Sequence, residues 1–162
     1  MENKKHEKTE LNELLQLVSF ELNGEEFGIE ILMVQEIIRM IQITKIPNTQ
    51  DFIEGVVNLR GRVIPVVNLR DKLGMPPKEH DAKTRIVVVE ILGKTIGFIV
   101  DSVSEVLRIP VSITETPPAI ISSGINSEFI KSVGKLEDRL VILIDLEKIL
   151  SHSDKHMLQE AE

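Results

Sequence analysis

The sequence predicts a mainly β protein in which one small five-stranded unit is used twice. Three observations carry that expectation. Short Val- and Ile-rich runs recur along the chain, as a pleated, half-buried surface requires. Asn23-Gly24, Arg60-Gly61-Arg62 and Leu92-Gly93-Lys94 interrupt those runs as hairpin turns would. The chain also matches itself. Shifted by 69 residues, Val18, Glu21, Gly24 and Gly28 fall on Val87, Glu90, Gly93 and Gly97, and Val34, Glu36 and Arg39 fall on Val103, Glu105 and Arg108. A shift of 77 places Phe52-Ile53 on Phe129-Ile130, and Val56, Leu59, Arg62, Leu69 and Leu73 on Val133, Leu136, Arg139, Leu146 and Leu150. The Pro110–Gly124 region holds the extra residues. Matched glycines are expected at turns and matched aliphatics on strand faces. Neither half buries enough surface alone, so the two are expected to share a hydrophobic interface.

The elements follow in order. Residues 1–12 are polar and read as a disordered tail. A strand from Leu14 to Leu22 turns at Asn23-Gly24 and returns over Glu25–Ile29. Ile31–Arg39 combines i, i+3 spacing with a β-branched end, which predicts a turn leading into a strand near Val34. Thr44–Gln50, with Pro47-Asn48, is a loop. A central hairpin follows, with Ile53, Val56, Val57 and Leu59 on one arm and Val63, Ile64, Val66, Val67 and Leu69 on the other. Pro65 cannot donate to a ladder, so its arm is expected at an edge or with a bulge. Leu69–Leu73 makes a helical turn, stopped by Gly74 and Pro76-Pro77. Lys78–Lys83 is a polar linker. Arg85–Ile91, Thr95–Val100 and Val103–Ile109 are strands, the last closed by Pro110. Thr114–Gly124 is a loop, Phe129–Leu136 and Arg139–Leu146 form a hairpin around Glu137-Asp138, and Asp145–Leu150 is helical. Residues 151–162 are a polar tail.

Composition excludes several functions. The 162 residues include 42% apolar and 3% aromatic residues, with no Trp or Tyr, so base-stacking platforms are scarce. A net charge of -7 disfavours nucleic acid and anionic membranes. Without Cys there is no disulfide, thiol nucleophile or Cys-based zinc site. No apolar run reaches membrane-spanning length, and Met1–Glu10 lacks the apolar core of a signal peptide; the expected location is the cytoplasm.

No motif assembles an active site. Gly93-Lys94-Thr95 resembles the end of a phosphate-binding loop, but Val88 stands where its first glycine is needed and a hairpin turn is the stronger reading. His152 and His156 have helical metal-ligand spacing in a tail without a supporting shell. Asp101-Ser102 and Ser104-Glu105 lack a nucleophile elbow and a nearby His. Glu25-Glu26 and Glu137-Asp138 fall at turns, where solvated carboxylates are ordinary. Arg60, Arg62 and Arg70 cluster on or near the central hairpin. They either solubilise a turn or, with Arg60 paired to an acid such as Glu36, shape a surface for a partner. The residues describe an interaction module rather than an enzyme, with no cofactor and no metal.

Phe27-Gly28-Ile29-Glu30-Ile31, Val34-Gln35-Glu36-Ile37-Ile38, the run from Ile53 to Val67, Val100–Val106 and Val133-Gly134-Lys135-Leu136 resemble the CheW family of bacterial chemotaxis coupling proteins. The likeness spans about Leu14 to Leu150. It implies two intertwined five-stranded SH3-like β-barrels with a few short helices, one of them near the C-terminus. The first barrel would take residues 13–80 and the second 83–150. It also implies a non-catalytic adaptor, monomeric in isolation, not inserted in the membrane and binding no nucleic acid. Its partners would be the regulatory domain of the histidine kinase CheA and the cytoplasmic tip of methyl-accepting chemoreceptors, which recruit it to membrane-associated arrays. Receptor-binding residues carried over are Val34, Glu36 and Arg60, with Glu36 facing Arg60. Ile31, Val34, Val100 and Val103 are expected to wall an inter-barrel groove. Met40, Ile43 and Ile46 match the kinase-binding end of the first barrel. The chain departs from the family at Met40-Ile41, where an aromatic and a proline are common, and at Asn68, where Asp is common and the change is expected to touch only a turn. The rivals are a regulatory domain of a longer kinase or receiver-fused coupling protein, and a small-ligand binding protein using the inter-barrel cleft.

Overall fold

The computed structural model describes residues 13–47, 52–116 and 129–150. The expected tails, His152 and His156, and most of the Thr114–Gly124 loop lie outside them. Among the described residues, eleven strands form two sheets. In chain order they are β1 (Leu14–Leu22), β2 (Glu25–Glu30), β3 (Val34–Arg39), β4 (Ile53–Leu59), β5 (Arg62–Asn68), β6 (Arg85–Ile91), β7 (Lys94–Val100), β8 (Ser102–Pro110), β9 (Thr114–Glu115), β10 (Ile130–Lys135) and β11 (Leu140–Ile144). The described residues also include two short helices, Leu69–Lys72 after β5 and Leu146–Ile149 after β11.

The two-residue turns form where the side chains allow them. Asn23-Gly24, Arg60-Gly61 and Leu92-Gly93 all have positive φ at both positions, the geometry that suits a tight hairpin to twisted strands. The Ile31–Arg39 ambiguity resolves as a 3-10 turn, Ile31–Met33, running into β3. Asn68 and Asp145 occupy equivalent N-caps. The Asn68 side chain accepts from the Asp71 N–H, and Asp145 accepts from the N–H groups of Glu147 and Lys148.

The five-stranded sheet runs β3-β6-β7-β5-β4, and the six-stranded sheet runs β8-β1-β2-β11-β10-β9. The internal repeat maps one order onto the other strand by strand: β3 on β8, β6 on β1, β7 on β2, β5 on β11 and β4 on β10. Even the parallel registers correspond, since Val66 opposes Gly97 and Leu143 opposes Gly28. Each sheet curls and closes. Thr44, beyond β3, bridges Val56 of β4, and β9, beyond β8, pairs with β10. These are the two SH3-like barrels.

The chain does not divide between them at 80–83. The β1–β2 hairpin belongs with β8–β11, and the β6–β7 hairpin belongs with β3–β5. Each repeat lends its first hairpin to the other barrel, so the barrels are intertwined. The five-stranded sheet is called the first barrel below, the other the second.

Packing follows the repeat. The first barrel's interior holds Val57, Ile64, Val66, Ile86, Val88 and Ile99. The second holds Leu17, Ile109, Val141 and Leu143. The largest cluster draws on both sheets, with Phe20, Phe27 and Leu22 from one side and Phe98, Val67, Val87 and Val89 from the other. This shared cluster is the expected interface, and dry apolar burial there holds the barrels together.

Two local expectations need correction. Gly28 and Gly97 are not at turns; they lie inside β2 and β7. A Cβ on Gly28 would stand 3.3 Å from Leu17 Cδ1, and one on Gly97 would stand 2.7 Å from Ile86 Cγ2, so the repeat keeps them for close approach. Pro65 is not on an edge strand, because β5 lies between β7 and β4. The bulge falls on β4, between Ile53 and Gly55. Val56, opposite Pro65, spends its N–H and C=O on Thr44, so β4 asks for no donor from Pro65. Pairing with β7 begins only at Val66.

Candidate protein-interaction surface

β3 is an edge of its sheet with alternating burial. That alternation keeps Glu36 half-buried on the face that curls toward β4, and the tight Arg60-Gly61 turn projects Arg60 to meet it. Arg60 Nη1 donates to Glu36 Oε1 at 3.1 Å, and Nη2 donates to Oε2, a fork on a carboxylate. The hydrogen bond from Arg60 is the main reason that the Glu36 carboxyl is held below its ordinary range. Glu36 in turn raises the Arg60 guanidinium. The pair is solvent-facing, with 70% of the Arg60 side chain exposed, so it is worth little to stability. It fixes a positive group in one orientation on the surface.

The three arginines divide into three roles. Arg60 is presented to solvent. Arg62 donates to Thr95 Oγ1 at 3.0 Å and ties β5 to β7. Arg70 is buried at 8% exposure and donates to Asp101, to Asn23 and to the Pro76 carbonyl oxygen. It is a structural group, not a turn solubiliser.

Ile31, Val34 and Val103 are half-buried and pack on the shared cluster from outside. They stand where the chain passes between barrels: Ile31 just after β2, Val34 at the first residue of β3 and Val103 at the start of β8. The repeat makes Val34 the counterpart of Val103, and Ile31 the counterpart of Val100. Val100 itself is 1% exposed and belongs to the shared core, so it cannot form a groove wall. It ends β7 opposite Arg85 with its side chain turned into the cluster. Met40 and Ile43 are half-buried against the first barrel's interior, and Ile46 is half-buried beyond them.

Sequence reading passed over more open apolar residues beside these. Ile37 follows Glu36 on the outer face of β3, and Val63 follows Arg62 at 56% exposure. Their counterparts in the repeat, Val106 and Leu140, are exposed too. The alternation of β3 carried that signal. Leu32, at the tip of the 3-10 turn, is 95% exposed. Asn68 reaches beyond a turn: its side-chain amide donates to Glu54 Oε1 at 2.8 Å, and an Asp there would set two carboxylates together.

Two cavities lie on the second barrel. One, of about 210 Å³, is lined by Gly28, Glu30, Met33, Lys131, Asp145 and Glu147 among others. The other, of about 500 Å³, is bordered by Glu21, Glu26, Arg139 and Leu140. Neither includes a residue expected at the receptor or kinase surface. Among the described residues, no group of three or more His, Asp or Glu side chains could hold a metal ion. Also among them, no helix is long and apolar enough to cross a membrane.

Comparison with known proteins agrees with the fold. A family model described as the CheW-like domain matches residues 16–154. The chain is 38% identical over 135 residues to the chemotaxis protein CheW of Klebsiella aerogenes, covering 83% of this chain and 81% of that one. It is 36% identical over 138 residues to the CheW of Helicobacter pylori, covering 85% and 82%. The crystal structure of the scaffolding protein TtCheW from Thermoanaerobacter tengcongensis superposes with a TM-score of 0.80 at 38% identity, covering 89% of this chain and 92% of that one.

Proposed function

This chain belongs to the CheW-like domain family, and from that premise we propose that it is a non-catalytic adaptor in chemotaxis signalling. It links the cytoplasmic tips of chemoreceptors to the regulatory domain of the histidine kinase CheA, in the cytoplasm, at membrane-associated receptor arrays. The observation that carries the reading is the reach of the family match, residues 16–154, which takes in both barrels. Supporting it, the described residues offer exposed apolar and charged surface.

In this reading a receptor helix lays an apolar stripe over Ile31, Val34 and Val103, and Arg60, held by Glu36, meets an acidic residue at the rim. Met40, Ile43 and Ile46 mark the kinase-facing end of the first barrel. Signal passes as a change in relative geometry, set by the differential affinity of each partner for the two states.

The test is binding of the purified chain to a receptor signalling-tip fragment and, separately, to the kinase regulatory domain. Binding to both, without competition, is expected. Binding to neither by a folded protein would sink the reading. Arg60→Glu should weaken the receptor complex by titration calorimetry and leave the fold unchanged. Unaltered receptor affinity would remove Arg60 from the surface.

A further inference from the structure

The outer face of β3 ends on two like charges side by side. Val34 opposes Val89, Ile37 opposes Val87 and Arg39 opposes Arg85, all on β6. The register shift between Val34 and Glu36 brings Val34 and Ile37, three residues apart, to one face. Ile38 and Met40 pack the other way, against the first barrel's interior. Alternation therefore sets Arg39 with Ile37 and Val34, away from Met40. The chain around both arginines is described, over residues 34–47 and 78–101.

Among the described residues, no acid is paired with either arginine. Arg39 is exposed and its side chain makes no hydrogen bond or ion pair there. Arg85 is half-buried, and its Nη1 donates to the carbonyl oxygens of Ala82 at 2.8 Å and Thr84 at 2.9 Å. Those bonds pin the guanidinium without neutralising it. Like charges directly opposite each other weaken a strand pair. The scaffold does not ask for them. The repeat carries Arg39 to Arg108 and Arg85 to Gln16, which oppose each other in the second barrel as one charged and one neutral residue. The chain has 26 acidic residues against 19 Lys and Arg, so the doubled arginine runs against its overall charge.

We propose that Arg39 and Arg85 together grip one carboxylate of the chemoreceptor tip, at the end of the apolar stripe that Val34 and Ile37 begin. This rests on the adaptor reading and adds a requirement on the partner: an acidic side chain beyond the residues that cover Val34 and Ile37. Charge complementarity and continuity select it. Ile37 is 40% exposed and lies between Val34, on the surface assigned to the receptor, and the arginines. Two guanidiniums on directly opposed residues suit the two oxygens of one carboxylate. Met40 and Ile43, assigned to the kinase, pack on the other side of the strand, so the receptor is the partner. From Val34 to Arg39 the strand covers about 16 Å, matched by about ten residues of a helix lying along it. The acid should therefore stand about three turns from the residue over Val34. Arg60 reaches Glu36 on the opposite face of β3, so the two cationic contacts are distinct.

The test is titration calorimetry of the full chain and its variants against the receptor signalling-tip fragment and, separately, the kinase regulatory domain. Arg39→Gln is expected to weaken receptor binding about tenfold and to leave kinase binding unchanged. Arg39→Lys should recover part of the loss, since it keeps the charge without the fork. Arg85→Gln should weaken receptor binding too, and the double variant should be little worse than either single one, because both arginines hold the same group. The melting temperature of Arg39→Gln should rise, as the like-charge repulsion is gone. Unchanged receptor affinity in Arg39→Gln, or additive losses in the double variant, would overturn the proposal and leave the adaptor reading standing. A lower melting temperature with equal loss of receptor and kinase binding would mark a structural role and overturn it as well. A folded wild-type chain that binds no receptor tip would remove the adaptor reading and this proposal together.

Discussion

Arg60 and Glu36 close the first barrel across the two edges of its sheet. They are 24 residues apart in sequence, on the β4–β5 turn and on β3, and no strand pairing joins those edges directly at this point. The contact puts a forked arginine on the surface in a fixed pose.

The pair sets a pH dependence. Glu36 is held below its ordinary value of 4.5 by its bond to Arg60. A depressed carboxyl favours the folded state above its unfolded value, and that contribution is lost as pH falls through the folded value. Carboxyl-carbon NMR should give Glu36 a midpoint below 4.5, and Arg60→Ala should return it toward that value. An unmoved midpoint in the variant would show that the pair does not persist in solution.

Gly55 guards the same closure. Its φ is +150°, and a Cβ there would stand 2.2 Å from the Thr44 carbonyl oxygen, a backbone atom that cannot swing aside. That oxygen accepts from Val56 N–H in the bridge closing the barrel. Gly55→Ala should cost about 3 kcal/mol in denaturant unfolding. Gly61→Ala, with open space around it, should cost about 1 kcal/mol, from its positive φ alone.

Arg70 and Asp101 are 10% and 15% exposed at the side chain, so removing one strands the other. Arg70→Ala should destabilise by about 3 kcal/mol. Replacing both by apolar residues of similar size should recover much of that, because no charge is then left buried. A double variant no more stable than Arg70→Ala would disprove this account.

Phe98 lies in the cluster shared by both sheets at 1% exposure. Phe98→Ala should cost about 4 kcal/mol. Because the barrels share this core and exchange hairpins, unfolding should stay a single transition by every probe. Two separated transitions would mean that the barrels are energetically independent.

Much of this was legible in the residues. Asn23-Gly24, Arg60-Gly61 and Leu92-Gly93 marked their turns through local backbone preference, and the strands around them were read from Val- and Ile-rich runs. The repeat placed Leu69 on Leu146 and Asn68 on Asp145, and both pairs keep the same role. The facing of Glu36 and Arg60 came from the family resemblance, and the hydrogen bonds between them bear it out. Other features had no local signal. Val100 was expected to wall the groove that the family resemblance implies, and only packing in the cluster shared by both sheets buries it. Arg70 looked like its neighbours Arg60 and Arg62 until Asp101, Asn23 and Pro76 were brought around it. The edge position expected for Pro65 failed because Val56 takes its hydrogen bonds from Thr44, twelve residues upstream.

The sequence by itself determined the strands, the turns, the twofold repeat and the family. Each rests on patterns in the chain: Val- and Ile-rich runs along strands, glycine-containing pairs at turns and matched residues at constant shifts. The tertiary structure alone decided which hairpin joins which barrel. The repeats are alike, so β1–β2 presents to β3 much the same pattern that it presents to β8. Local pairing rules do not separate those choices. The exchange is set by long-range packing of two sheets on one core.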